Sequence, residues 1–289
     1  MQTRASTGIL APADKLPNCL AHARPTDQRG CIIWPQRLNS RAWTQGRSCL
    51  AGRRLQPRLP ADALAQPVSP RALATPSGRL NDSWIVLFEN FTSPAEATAI
   101  IQAGERRGYK RDSRTSALAR NSSQTWCSRP CRTLPLVQRV LGRLEHVTGA
   151  GARHFETMQL VRYRRGEFFR THHDSHTGSY RDSAQGHRVL TAFMYLSTPA
   201  AGGETAFPRH PGVSPVEARA GRLLVWPNVH SDRVLENNLR MKHEARPVRA
   251  GVKYGANIWL RMYPQGLYRG PSICTKAEAS ATKSGNMCT

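Results

Sequence analysis

The middle of this chain carries apolar residues in two successive patterns, a helical one and then an alternating one. The helical pattern has a clear start, because Ser93 can act as N-cap, Pro94 as the first helical residue and Glu96 as the acidic member of a capping box. This helix should extend to about Arg107. A second helix is predicted over Leu134–Val147, where apolar residues recur at helical spacing.

Short segments that are β-branched or alternating, bounded by Gly, Pro and Asp turns, dominate the rest of the core. The predicted strands are Trp84–Phe91, Glu156–Tyr163, Val189–Ser197, Arg222–Trp226, Ala245–Val248 and Tyr254–Tyr263. Residues 111–132 are polar and follow neither period, so we expect irregular structure there. Helices followed by many strands predict a mainly β fold, an antiparallel jelly roll with supporting N-terminal helices.

Neither period continues into the two ends of the chain. Residues 1–80 are rich in Arg, Pro and Ala and contain no glutamate, which predicts a disordered basic extension. That composition is also typical of an organelle transit segment. Residues 266–289 are expected to form a flexible tail, which leaves one folded domain over residues 84–265. We find no secretory signal and no apolar run long enough to cross a membrane.

The chain has 42 Lys+Arg against 19 Asp+Glu, a formal charge of +23. This balance favours anionic partners such as nucleic acid, but it is equally compatible with a basic targeting segment. Seven cysteines cannot all pair within one chain, so the redox compartment stays open. Cys127 and Cys131 could form a local disulfide or remain free thiols.

A His-x-Asp pair, His172 and Asp174, is the strongest chemical signal in the sequence. In an extended segment these two side chains leave the same face, whereas His173 points away. Two imidazoles and one carboxylate on one face of an octahedral ion leave three positions open, as in non-haem Fe(II) oxygenases. His243 is the best candidate for the third ligand, and His230 is its rival.

Several short motifs follow one another in order between residues 84 and 263. They are Tyr163-x-x-Gly166, His172-x-Asp174, Arg188-x-x-Thr191, Gly202-Gly-Glu-Thr205, His243-x-x-x-Pro247-Val248, Lys253 and Trp259. Each motif is weak alone, but the ordered set resembles the prolyl 4-hydroxylase family of 2-oxoglutarate- and Fe(II)-dependent dioxygenases. The resemblance favours His243 over His230, because Pro-Val and a lysine at ten residues follow only His243. It also implies that the jelly roll is a double-stranded β-helix.

The resemblance implies a role for each motif residue. Fe(II) would be bound by His172, Asp174 and His243. Lys253 would bind the distal carboxylate of 2-oxoglutarate, which agrees with the need of a buried ammonium for an anion. The remaining residues implied to contact the cosubstrate are Tyr163 and Thr191, as hydroxyl donors, and Trp259, as an aromatic wall.

Three further positions are implied to face the substrate. Arg188 corresponds to a residue associated with substrate binding in the family. Phe169 stands where an aromatic residue with a hydroxyl is usual, and Arg261 stands where histidine is frequent. The region around Thr125 replaces a usual Arg-Thr-Ser stretch. The turn Gly202–Thr205 is given no catalytic role.

The implied activity is that of a procollagen-proline 4-dioxygenase-like enzyme. It would hydroxylate peptidyl proline in a Pro-rich protein, consume O2 and 2-oxoglutarate, release succinate and CO2, and use L-ascorbate to keep iron reduced. Family members are often luminal in the endoplasmic reticulum. One alternative is the same chemistry on another protein side chain or on nucleic acid. Another is a non-catalytic jelly-roll binding module, against which the complete ligand set and Lys253 argue.

Overall fold

A computed structural model describes residues 69–74, 83–113, 115–175, 186–230 and 236–262. The predicted extension up to residue 68 and the predicted tail lie outside these ranges. The described helices include none that is long and apolar enough to span a membrane.

Strands are the main secondary structure of the described chain. They are β1 (Ser69–Ala74), β2 (Ile85–Glu89), β3 (Lys110–Arg111), β4 (Ser123–Trp126), β5 (Gln159–Tyr163), β6 (Phe169–His172), β7 (Arg188–Tyr195), β8 (Ala201–Gly202), β9 (Thr205–Ala206), β10 (Leu223–Pro227), β11 (His243–Ala245), β12 (Val248–Ala250) and β13 (Lys253–Arg261). The α-helices are α1 (Pro94–Arg107), α2 (Arg129–Arg132) and α3 (Pro135–Thr148).

The strands form one large and two small antiparallel sheets. The major sheet has eight strands in the order β1-β2-β10-β7-β13-β5-β4-β3, and the small sheets are β6-β11-β9 and β12-β8. Side chains of the major sheet, such as Phe193 and Trp226, share one buried cluster with Phe207 and Val248 from outside it. This mainly β double layer confirms the predicted double-stranded β-helix.

The two longer helices begin and end as predicted. Ser93 and Glu96 form the reciprocal capping box at the start of α1, with Ser93 N donating to the Glu96 carboxylate at 2.8 Å. Glu96 is buried and also accepts hydrogen bonds from Arg143 of α3. This ion pair between Glu96 and Arg143 joins the two helices. Glycines at both helix C-termini have positive φ, 84° at Gly108 and 68° at Gly149.

Two expectations about unstructured segments were wrong. β1 lies within the predicted extension 1–80 and pairs with β2, so that β2 is not an apolar sheet edge. The segment 111–132 contains β4 and α2, because β4 pairs with β5 in the major sheet. Polar alternation over four residues is too short to reveal such a strand without its partner.

The predicted strand Ala245–Val248 is two strands on different sheets. β11 pairs with β6 and β9, whereas β12 pairs with β8. Pro247 between them has no N–H to donate to a ladder. Far from this segment, Cys127 just before α2 and Cys131 within α2 are joined by a disulfide, which is one of the two states that the sequence left open.

Candidate metal centre

Strand pairing brings the three predicted ligands together. His172 of β6 and His243 of β11 are direct partners across the small sheet, and Asp174 follows two residues after His172. His172 Nε2 lies 3.6 Å from Asp174 Oδ1, and His243 Nε2 lies 3.5 Å from Asp174 Oδ2. These ligand atoms all fall within 4.8 Å of one another, the one such group in the described ranges. His230 does not belong to it.

Both imidazoles have their second nitrogen held by backbone. Nδ1 of His172 lies 2.9 Å from the carbonyl of Arg170, and Nδ1 of His243 lies 2.9 Å from the carbonyl of Met241. Because a carbonyl only accepts, each Nδ1 carries the proton. Each Nε2 therefore faces Asp174, and this is the nitrogen that a metal would bind.

The charges of the cluster also suit a cation. Burial, together with the neighbouring His243, lowers the pKa of His172 to about 4, so this imidazole is neutral near pH 7. Burial alone would raise the pKa of Asp174, but the nearby His243 and hydrogen bonding to both histidines hold it well below its usual value. The result is an ionised carboxylate beside a neutral ligand nitrogen.

Asp174 has a further partner in the major sheet. The hydroxyl of Thr191 donates to Asp174 Oδ2 at 2.6 Å and accepts from Asn228 Nδ2 at 2.9 Å. Thr191 was expected to donate to the cosubstrate. The structure places its hydroxyl on a metal ligand instead.

A cavity of about 480 Å³ extends from the cluster between the sheets. Every residue expected to contact cosubstrate or substrate, except Thr191, lines it. These residues are Tyr163, Phe169, Arg188, Lys253, Trp259 and Arg261.

Lys253 is the most unusual residue of this cavity. It is 0% exposed, and its Nζ donates to the carbonyl of Gly203 at 2.7 Å. Aromatic rings surround the ammonium, with centroids 5.2 Å away for Tyr163 and Phe193 and 5.4 Å for Tyr195. Burial lowers the pKa of Lys253 to about 7, although the charge of Glu204 opposes this shift. None of the described residues places a carboxylate within ion-pair distance of it, so the pocket fits an anionic ligand.

Hydroxyl groups line the walls around the ammonium. Tyr195 donates to Thr205 Oγ1 at 2.7 Å, which leaves the proton of Thr205 available to an anion. Burial raises the pKa of Tyr163, so its hydroxyl stays protonated. Thr205 lay in the turn to which the sequence argument gave no role.

Arg188 and Arg261 share one partly buried acid. Glu156 forms ion pairs with both, at 2.7 Å to Arg188 Nε and 2.5 Å to Arg261 Nε. The Arg188 guanidinium also stacks on the ring of Trp259, 3.6 Å from its centroid. The expected substrate contacts of both arginines stay predictions.

Phe169 stacks on His172, with ring centroids 3.6 Å apart. The guanidinium of Arg120 also lies over the Phe169 ring, 4.8 Å from its centroid.

Arg120, Glu156 and Asn228 belong to the site but to none of the sequence motifs. An arginine, acid or amide looks ordinary until its partners, which are distant in sequence, are known.

A histidine, aspartate and histidine on a jelly roll, beside a buried cation, define a non-haem metal oxygenase type of site. Residues 158–261 match the 2OG-Fe(II) oxygenase superfamily. Along this segment and its flanks, the chain is similar to prolyl 4-hydroxylases.

Two curated relatives illustrate this similarity. Prolyl 4-hydroxylase subunit alpha-2 of Caenorhabditis elegans is 28% identical over 190 residues, which cover 62% of this chain and 34% of that protein. Prolyl 4-hydroxylase 1 of Arabidopsis thaliana is 26% identical over 207 residues, covering 62% of this chain and 70% of that protein. The chain therefore spans only about a third of the nematode relative.

The fold has a counterpart among solved structures. The viral collagen prolyl hydroxylase of Paramecium Bursaria Chlorella virus-1, solved as a 2OG complex, superposes with a TM-score of 0.52 at 22% identity. The alignment covers 64% of this chain and 99% of that one. At this identity the likeness is one of fold.

Proposed function

We propose that this chain is a dioxygenase that hydroxylates peptidyl proline. The observation that carries the proposal is one cavity shared by two groups: the cluster of His172, Asp174 and His243, and a buried lysine that has no acidic partner among the described residues. The cluster fits Fe(II), and the lysine fits the far carboxylate of 2-oxoglutarate.

His172, Asp174 and His243 would hold the iron through two Nε2 atoms and one carboxylate. When bound, Fe(II) supplies activation of O2, coupled to the breakdown of 2-oxoglutarate to succinate and CO2. The chain contributes a fixed set of ligands, since backbone carbonyls hold both Nδ1–H groups.

Lys253 would bind the distal carboxylate of 2-oxoglutarate, with hydroxyls of Tyr163 and Thr205 as donors. An ammonium in an aromatic cage is poorly solvated, so an anion that replaces its lost water gains a strong charge-assisted hydrogen bond. The rings around it exclude water from the pair. L-Ascorbate would restore iron oxidised without substrate.

The aromatic walls support proline as the substrate side chain. Trp126 and Trp259 line the cavity with their ring centroids 6.4 Å apart, and Phe169 lies on the side of His172. A pyrrolidine ring is apolar and flat enough to pack on such faces. Glu156 already holds Arg188 and Arg261, which reduces the positive charge that nucleic acid would need. The peptide would come from a Pro-rich protein. Localisation to the endoplasmic reticulum stays a prediction.

The test is succinate formation from 2-oxoglutarate under O2 by iron-loaded protein, with and without a poly-proline peptide. We expect peptide-stimulated turnover that falls at least ~100-fold in His172→Ala, because a ligand is removed. His230→Ala is the matched control, since His230 was the rival ligand and lies outside the cluster. It should retain turnover.

Two other outcomes would contradict parts of the proposal. Turnover that depends on His172 but ignores the peptide would exclude this proline substrate while keeping the dioxygenase. Absence of both turnover and iron binding would overturn the enzyme and leave a jelly-roll binding module.

A further inference from the structure

The hydroxyl of Thr191 lies at the junction between the major sheet and the metal cluster. Thr191 is on β7, paired with Trp226 of β10 on one side and Trp259 of β13 on the other. It is 0% exposed, and Asp174 approaches it from beyond the end of β6. The hydroxyl therefore links the carboxylate of Asp174 to the centre of the major sheet.

The direction of the hydroxyl proton follows from its partners. Thr191 has one proton, and the ionised Asp174 can only accept it. Asn228 presents its NH2 group to Thr191 and fills the acceptor side of the hydroxyl. Asn228 is itself 0% exposed and held by backbone bonds to Val189 and Asn238, at 2.8 and 2.9 Å. The order of donation thus runs from Asn228 through Thr191 to Asp174.

We propose that Thr191 is a positioning residue for Asp174 and that Asn228 fixes the direction of its hydroxyl. The hydrogen bond from Thr191 to Asp174 sets the rotation of the carboxylate, with Oδ1 toward His172 and Oδ2 toward His243. This inference rests on the proposed metal centre. It replaces the role of cosubstrate donor for Thr191, because a proton given to Asp174 is not available to 2-oxoglutarate.

The test measures Mn(II) binding by titration calorimetry, without 2-oxoglutarate or substrate. Thr191→Val keeps the shape of the side chain and removes the hydroxyl. We expect it to bind Mn(II) at least ~10-fold more weakly, the usual effect of losing a partner of a metal ligand. Thr191→Ser keeps the hydroxyl and should stay within ~3-fold of the wild type.

Thr92→Val is the matched control for a buried threonine. Thr92 is 3% exposed, and its hydroxyl has no hydrogen-bond partner in the part of the chain that the structure describes. It lies outside the metal cavity, so this change should leave Mn(II) affinity unaltered. A loss in Thr191→Val that Thr92→Val does not share is then specific to the contact with Asp174.

Asn228→Asp tests the direction of donation. The new carboxylate would compete for the Thr191 proton instead of filling its acceptor side, so Mn(II) binding should weaken as in Thr191→Val. This variant decides the question if Thr191→Val does not fold. Its circular dichroism should match that of the wild type.

The inference is overturned if Thr191→Val and Asn228→Asp both bind Mn(II) as tightly as the wild type. A raised KM for 2-oxoglutarate with unchanged Mn(II) affinity would return Thr191 to the role of cosubstrate donor. A wild-type chain that binds no Mn(II) would instead overturn the proposed metal centre itself, and with it the role of Thr191.

Discussion

Lys253 shows at the scale of one residue how a site is prepared for its ligand. Its ammonium is fully buried, with one backbone carbonyl and three aromatic rings around it. Such a group destabilises the empty protein, since a charge is removed from water without a counter-charge. Binding of an anion would remove that penalty, and under the proposed function this gain would add to the affinity for 2-oxoglutarate.

The lowered pKa of Lys253 predicts a pH dependence of stability. Burial holds this pKa at about 7 in the folded chain, against about 10.4 in an unfolded one. Between these values the unfolded chain binds more protons, so the free energy of unfolding rises with pH, and below pH 7 this contribution is flat. From pH 7 to 9.5 the rise should be on the order of 2 to 3 kcal/mol.

Urea unfolding of the metal-free and cosubstrate-free protein at the two pH values measures this rise. Lys253→Met removes the titrating group, and its stability should change less over the same window. Equal changes in both proteins would show that Lys253 keeps an ordinary pKa.

At the scale of elements, short strands and turns fix where the ligand groups lie. Gly202 and Gly203 have φ values of 76° and 77° and turn the chain from β8 toward β9. This turn presents the Gly203 carbonyl to Lys253 and pairs Gly202 with Val248 of β12. Glycine is required here by both conformation and space.

Gly202→Ala should destabilise the fold by about 3 kcal/mol or more. Positive φ alone costs about 1 to 2 kcal/mol for a residue with a Cβ. At Gly202 the new Cβ would also collide with the carbonyl of Pro247 and lie 2.8 Å from the N atom of Arg249. Chemical unfolding measures the loss.

Gly212→Ala is the control that separates conformation from collision. Gly212 has a φ of 79°, but a Cβ there would meet nothing within 4 Å. We expect a loss of only about 1 to 2 kcal/mol. Equal losses at the two positions would mean that the backbone around Pro247 yields without strain.

At the scale of the whole molecule, a strand of the major sheet lies in a segment for which the composition predicts disorder. β1 covers one side of the apolar strand β2, and β10 covers the other. Without β1, the backbone of β2 would be an open edge that could pair with another chain.

Two truncations test this boundary. Removal of residues 1–68 keeps β1 and should leave thermal unfolding and elution in size-exclusion chromatography unchanged. Removal of residues 1–82 also deletes β1, and should lower stability by about 2 kcal/mol through lost strand pairs and promote self-association. The same behaviour in both proteins would show that β1 adds nothing to the sheet.

Local chemistry made much of the fold predictable. The capping box of α1, its glycine stop and the alternating strand β13 are set by neighbours within a few residues, so the sequence displays them directly. β4 was missed because four polar residues carry too little pattern. Ala245–Val248 was read as one strand because β-branched and apolar residues do not show that the flanks of Pro247 pair with different partners.

Residue type and order were enough to predict that His172, Asp174 and His243 come together and that Lys253 lies in the same cavity. The surroundings of these residues follow from the tertiary fold alone. Thr191 meets Asp174 from 17 residues away and Asn228 from 37 residues away, and Glu156 joins Arg188 and Arg261. The physical reason is that hydrogen bonds and ion pairs of buried groups depend on distances in space, which the register of the sheets sets and which no local pattern records.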